Sequence, residues 1–305
     1  MCDYVLDDVS LTMEQSQSER SYKAFGAWAL GGVNTALSLL KVLIKSKRPP
    51  AIPAIESTTC FVLGNGPSMK ESLRKHSDRF LTGDVMCVNS FALSAEFVAL
   101  KPKHYVIIDP GLWFDGNVLA HQTFEAMANN CDWAMNLFVP HTARGSKPLQ
   151  LLMERNAKVN VCFINYVVFK GWASFAHTMY DKRRAMPQSQ NVMVAALFWA
   201  VNVGYKKIEL FGVDHNWHTQ LEVDENNVVC TRHEHFYSKE GQVKLVPFYK
   251  LASTKETFRM DEIFHAWAKV FAGYRAIRQY ADGKNCQIIN ASEISFVDAF
   301  ERKKI

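Results

Sequence analysis

Histidine can take a proton from a hydroxyl near neutral pH without help from a metal. Four of the ten histidines fall in two short runs, Asp214-His215-Asn216-Trp217-His218 and His233-Glu234-His235-Phe236-Tyr237. Neither run contains HExxH or pairs histidine with cysteine, so no zinc site is indicated. A general base drawn from these histidines is the chemistry they favour, with solvated loop histidines as the plain alternative. No GxSxG and no catalytic-cysteine signature is present, which leaves covalent hydrolysis unsupported. The second constellation is Gly64-Asn65-Gly66-Pro67-Ser68, directly after the apolar run TTCFVL. It is not GxGxxG, and it lacks the lysine of a P-loop. In its context Gly64 and Gly66 would let the backbone approach a ligand, and Asn65 offers both donor and acceptor. A helix capped by Ser68 would then present free N–H groups to an anion. A glycine turn serving packing alone is the competing reading.

These residues need elements to hold them, and the chain alternates strands and helices from residue 57 on. Short β-branched or aromatic runs at 58–63, 85–88, 105–108, 133–138, 159–164 and 207–211 read as strands, with MKESLRKH and residues 192–203 as helices. Four of the strands end in small polar residues: GNGPS, Asn89-Ser90, Asp109-Pro110 and Gly212-Val213-Asp214. In an open parallel sheet the ligand crevice lies at the carboxyl ends of the strands, so these tips should converge. The expected fold is α/β, a Rossmann-like, mostly parallel sheet flanked by helices, with a lid insertion and an N-terminal amphipathic helix. The polar stretch 215–257 reads as the lid. Phe264, Trp267, Phe271 and Tyr274 recur at helical spacing and predict a core-packing helix over 258–280. Residues 286–289 read as a last strand and 296–302 as a closing helix.

Composition sets the bounds: 305 residues, 48% hydrophobic, with 35 Lys+Arg against 30 Asp+Glu. That excludes collagen, low complexity and wholesale disorder. A net +5 is too dilute to imply nucleic acid, and no nucleic-acid motif accompanies it. Seven scattered cysteines without CxxC point to a reducing compartment and buried thiols. Residues 1–56 read as a separate N-terminal helix and Pro-rich linker, and 57–305 as the main domain. Between Lys23 and Lys41 lie seventeen uncharged residues. On a helical wheel Asn34, Ser38, Lys41, Lys45 and Arg48 share one face, and Val33, Leu37, Leu40, Leu43 and Ile44 another. Residues 24–48 are therefore expected to lie on an anionic membrane surface. The alternatives are a helix packed on the body, a contact in a homo-oligomer, or a span, which Gly31-Gly32 and Asn34 would interrupt.

The ordered series FVLGNGPSMKESL, MCVNSF, SQNVMVAALFWAVNVGYKKIELFGVDHNW and HEHFYS resembles the bacterial lipooligosaccharide sialyltransferases that use CMP-activated sugars. It also resembles the wider group containing motility-accessory glycosyltransferases and pterin diphosphokinase-like proteins. The resemblance covers about 58–300, through the closing INASEISFVDAF. It implies one Rossmann-like domain with a lid, and metal-independent, inverting transfer with no cofactor beyond the CMP-sugar donor. By position, Gly64, Asn65, Gly66, Pro67, Ser68, Asn89 and Ser90 would contact the donor. Asp214 joins them at a strand tip. Asp109 stands where the family has Asn, and Gln190-Asn191 where it has Ser-Gly beside the sugar carboxylate. The acidic sugar is thus open among sialic acid, Kdo and pseudaminic acid. Asn216 takes the place of one of two tyrosines that steady the departing phosphate; Tyr237, His218 or Lys250 would substitute for them. His235 is the expected base, with His233 its rival.

The expectation is a glycosyltransferase at the inner face of the cytoplasmic membrane. It would move an acidic sugar from CMP to a glycan or lipid-linked oligosaccharide acceptor in surface polysaccharide or lipooligosaccharide synthesis. The alternatives are a pterin diphosphokinase-like enzyme, favoured only by the acidic tips Asp109 and Asp214, and an inactive membrane-associated scaffold.

Overall fold

The computed structural model describes residues 17–113, 115–232, 245–250 and 255–305. After a long helix α1 (Gln17–Lys45), β1 (Thr59–Leu63), α2 (Met69–Phe80), β2 (Asp84–Val88), α3 (Glu96–Leu100) and β3 (His104–Val106) follow. Next come α4 (Val118–Asn130), β4 (Met135–Pro140), α5 (Lys147–Arg155), β5 (Val159–Ile164), α6 (Ala173–Asp181), α7 (Val192–Val203) and β6 (Lys207–Phe211). The lid region carries β7 (Leu221–Val223), β8 (Val229–Thr231) and β9 (Val246–Pro247), and α8 (Met260–Asp282), β10 (Gln287–Asn290) and β11 (Glu301–Arg302) complete the chain.

The main sheet has eight strands in the order β11-β10-β6-β1-β2-β3-β4-β5, every described pairing parallel. Alternation along β1 explains the layers. Cys60 and Val62 face the core under α6, α7 and α8, whereas Phe61 and Leu63 face the core under α2, α4 and α5. With both faces covered, the central strands are continuous apolar runs, which is why the sequence shows them as such. Helix α7 is buried on nearly every side and ends on Gly204 at φ +114°, a left-handed stop that suits glycine. The six described cysteines are free and buried.

Three expectations need correction. Residues 296–302 form no helix; the chain runs irregularly to the two-residue strand β11, parallel to β10. The aromatic stripe of α8 is its core face only in part, at Tyr274. Ile263, Val270, Tyr274, Ile277 and Ala281 are buried, while Phe264 is exposed and Trp267 and Phe271 are half-buried. The core face runs through Tyr274 and the aliphatics Ile263, Val270 and Ile277, so the helical period holds while the aromatics at 264 and 267 lie to its side. The lid is not merely a loop, since β7, β8 and β9 form a small antiparallel sheet.

Helix α1 docks on the body through small and polar residues. The Ser38 hydroxyl donates to the Lys170 carbonyl and accepts from the Lys170 N–H, both at 2.9 Å. The Trp172 N–H donates to Thr35 Oγ1 at 2.9 Å. A Cβ on Gly31 would come within 2.7 Å of the Trp172 indole nitrogen, so this glycine serves the docking of Trp172 rather than the interruption of a span. Lys47 main chain and the Asn165 side chain exchange two hydrogen bonds, at 2.7 and 2.9 Å. Val33, Leu37, Leu40, Leu43 and Ile44 are left exposed. Ala24–Lys45 is long and apolar enough to cross a membrane by length and composition.

Candidate functional site

The strand order reverses at β1. The chain moves outward through β2 to β5, then returns across the sheet so that β6 lies on the other side of β1. The crevice beyond the carboxyl ends of such neighbours is where open α/β sheets bind ligands. A cleft of about 560 Å³ opens there. Gly64, Asn65, Gly66, Pro67, Asn89, Ser90, Asp109, Gln190, Asn191, Asp214 and Asn216 all line it. Ser68 lies behind them on Asp214.

The glycine turn works differently from its sequence reading. The Gly64 and Gly66 N–H groups donate to the carbonyls of Phe211 and Gly212, at 2.8 and 2.9 Å. A Cβ on Gly66 would sit 2.6 Å from Asp214 Oδ1. The pair is glycine because the turn after β1 lies against the turn after β6, not because a ligand needs the space. Ser68 is no side-chain cap of α2; its hydroxyl donates to Asp214 Oδ1 and its N–H to Oδ2 at 2.8 Å. A carboxylate from the neighbouring strand therefore occupies the start of α2, where the sequence suggested a site for an external anion. Burial raises the Asp214 carboxyl above its ordinary range, opposed by the two Ser68 hydrogen bonds.

Around the rest of the cleft, Asn89 holds φ +51°, and the Tyr105 hydroxyl steadies that turn by donating to the Asn89 carbonyl at 2.6 Å. The Asn89 side-chain oxygen is buried without a hydrogen-bond partner. Asn65 Nδ2 donates to the Val88 carbonyl at 3.2 Å. Asp109 Oδ1 accepts from the Gly111 N–H at 2.9 Å. Asn191 caps α7: its Oδ1 accepts from the Val194 N–H at 3.2 Å, which fixes the amide orientation. Its Nδ2 must then donate to His215 Nε2, 2.9 Å away.

The sequence marks His215 only as part of a run, and no local pattern assigns Trp217, Tyr166 or Tyr274 to the cleft. The His215 ring stacks on Trp217 at 4.1 Å, and its Nε2 lies 2.6 Å from the Tyr274 hydroxyl. With Nε2 accepting, the proton of the neutral ring is on Nδ1. Burial lowers His215 to about 3, so it stays neutral at working pH. Tyr166 also lines the cleft, donating its hydroxyl to the Ser189 carbonyl; burial raises its pKa, with the Ser189 bond pulling the other way.

The remaining expected residues are elsewhere. His218 is exposed and packs edge-on against Phe296 at 4.6 Å. Lys250 pairs with Glu256 and Glu262, each at 2.7 Å. Neither lines the cleft. His233, His235 and Tyr237 lie outside the described residues. Among the described residues, no group of three or more His, Cys, Asp or Glu is placed to hold a metal ion.

No protein-family model matches this sequence, and no curated protein matches it. One similar solved structure is that of a MAf glycosyltransferase from Magnetospirillum magneticum AMB-1, with 12% identity and a TM-score of 0.47. The match covers 89% of this chain and 38% of the other, so the chain spans well under half the length of that protein. A likeness this distant carries no argument about activity.

Proposed function

We propose that the chain is an inverting, metal-independent glycosyltransferase that moves an acidic sugar, such as sialic acid or Kdo, from a CMP donor to a glycan hydroxyl. The observation that carries the reading is the partnerless, buried amide oxygen of Asn89 beside a cleft at the switch point. A buried acceptor left unpaired costs about 1–3 kcal/mol. A base with an exocyclic amine would satisfy it; of the two pyrimidines only cytosine has one, whereas the 4-oxygen of uracil would present an acceptor to an acceptor. The N-terminus of the twelve-residue helix α7 faces the same cleft through Gln190 and Asn191, and its dipole favours a carboxylate on the sugar.

In this reading His235, or His233, takes the acceptor proton as the acceptor oxygen bonds to the anomeric carbon. The bond from that carbon to the phosphate oxygen breaks, and CMP leaves with the electron pair. His215 is not the base, because its Nε2 already accepts from Asn191. Neither His218 nor Lys250 lines the cleft, so Tyr166 takes their place on the departing phosphate if its hydroxyl turns from the Ser189 carbonyl, and Trp217 offers a wall for a sugar ring. The acceptor would be a surface or lipid-linked glycan met at the cytoplasmic face of a membrane. The diphosphokinase reading loses one of its two supports, since both Asp214 oxygens are engaged by Ser68.

The test is thermal protection by nucleotides, followed by turnover. CMP and CTP should raise the melting temperature, by about 2.7 kcal/mol of stabilisation at 100 times Kd, while UTP and ATP should not. His235→Ala should lower kcat by about 10²–10⁴-fold with nucleotide protection intact. Equal protection by ATP and CTP would remove the donor assignment.

A further inference from the structure

The sequence places a basic face and an apolar face on one helix, but the fold adds bases from other parts of the chain. Helix α1 leaves Leu30, Val33, Leu37, Leu40, Leu43 and Ile44 exposed, Leu43 at 80% and Ile44 at 69%. The opposite side, Thr35, Ser38 and Val42, is buried against residues 170–172 and the main core. The helix therefore cannot roll to hide its leucines without breaking those hydrogen bonds. Monomeric proteins rarely expose a contiguous stripe of this kind without a use for it.

Charge indicates what covers it. Asn165, directly after β5, binds the Lys47 main chain and the Arg183 carbonyl. Lys170 is tied to Ser38 on α1. Arg144 packs over Phe163 at 4.3 Å; burial depresses the nearby His141 imidazole, and Arg144 and Lys47 add to the effect. Lys41, Lys45, Lys47, Arg48, Arg144, Lys170 and Arg184 are all exposed. Among the described residues none of these seven forms an ion pair, whereas bases on α2, β6 and α8 do. Trp28 and Trp172, 5.4 Å apart, and Phe175 add aromatic bulk at the other end of the helix, the type of residue that settles at headgroup depth.

We propose that α1, the β5–α6 loop, the turn after α6 and the turn after β4 form one composite docking face for an anionic phospholipid bilayer. The leucine stripe enters the interface and the collar of bases lies on the headgroups. The collar follows the carboxyl ends of β4 and β5, the same edge of the sheet on which the cleft opens, so docking sets the cleft beside the lipid surface. This holds whatever donor the cleft takes.

The experiment is sedimentation of the full chain with vesicles of phosphatidylcholine alone or with 30% phosphatidylglycerol. Binding is expected only to the anionic vesicles and should weaken with added salt. At about five-fold per base near such a surface, the triple variant Arg144→Glu, Lys170→Glu, Arg184→Glu should lose at least ~100-fold in partitioning. None of the three positions lies on α1. Its melting temperature should stay close to that of the parent; if it does not fold, the corresponding Gln variants taken singly should each cost about five-fold. Equal binding to neutral vesicles, or an unchanged partition of the folded triple variant, overturns the composite face. A dimer in light scattering that Leu37→Glu and Leu40→Glu dissociate, with no vesicle binding, would assign the stripe to a second copy instead.

Discussion

At the residue scale, Asp214 and Ser68 form the joint on which the cleft turns. Asp214 accepts from both the hydroxyl and the N–H of Ser68, and Gly66 is held to a hydrogen in place of a side chain by the same carboxylate. An Asn at 214 can offer an oxygen to only one of the two donors, so its amide must face the other donor with a donor of its own. Asp214→Asn should therefore cost about 2 kcal/mol, read as a lower urea midpoint. It should also weaken nucleotide protection, because the turns after β1 and β6 share this contact. Unchanged stability would mean that Ser68 finds its partner elsewhere. His215 illustrates a different limit. Its place in a histidine run suggested solvent or catalysis, yet Asn191, Tyr274 and Trp217 make it a buried, neutral element of the cleft wall.

At the scale of elements, two joints are made by polar groups between apolar layers. Glu209 is buried on the face of β6 opposite Ile208 and Leu210. There Arg79 of α2 binds it through two hydrogen bonds at 2.7 and 2.9 Å, and Lys207 adds a third contact at 2.8 Å. Burial alone would raise the Glu209 carboxyl, but the two bases outweigh it and hold it below its ordinary range. Helix α1 is fixed by Thr35 and Ser38. Replacing Ser38 with Ala leaves both the N–H and the carbonyl of Lys170 without their partner, and should cost about 1–3 kcal/mol. Differential scanning calorimetry should show the loss, and proteolysis within 46–57 should accelerate as α1 lifts from the body. No change in either would mean that the helix is held by Trp172 and Asn165 alone.

Across the whole molecule, two buried histidines stand at opposite ends of the sheet. His215 is at the cleft, with its pKa lowered to about 3. His104 begins β3 at the other end, bonded to the Tyr205 hydroxyl at 2.8 Å, which in turn donates to Asp84 at 2.7 Å; burial lowers it to about 4. Both lie below the unfolded value of 6.5. Above that pH each is neutral in both states, and the stability tied to it is fully present. Below it, the unfolded chain takes up protons that the folded chain refuses, so stability falls as pH falls. The slope approaches ~1.4 kcal/mol per pH unit for each histidine until the folded pKa is reached. The urea midpoint should thus decline steadily from pH 6.5 to 4.5, and His104→Gln should make that decline shallower. An unaltered slope in that variant would exclude His104 as a source.

The strands, the order of strands and helices, and the polar tips could all be read from the chain. A parallel sheet covered on both faces demands continuous apolar runs, and tight turns demand small polar residues, so both leave local marks. The same locality predicted that GNGPS, Asn89-Ser90, Asp109 and Asp214 would meet. Partnership across distance leaves no such mark. The sequence could not show that Gly66 yields to Asp214, that Ser68 binds a residue 146 positions away, or that Asn191 and Tyr274 hold His215. Nor could it say which side of α1 would be buried. Its leucines suit a membrane surface or a protein core equally, but tight hydrogen bonding to Lys170 and Trp172 is open only to the small polar side, so tertiary contact buried that side and left the apolar face outward.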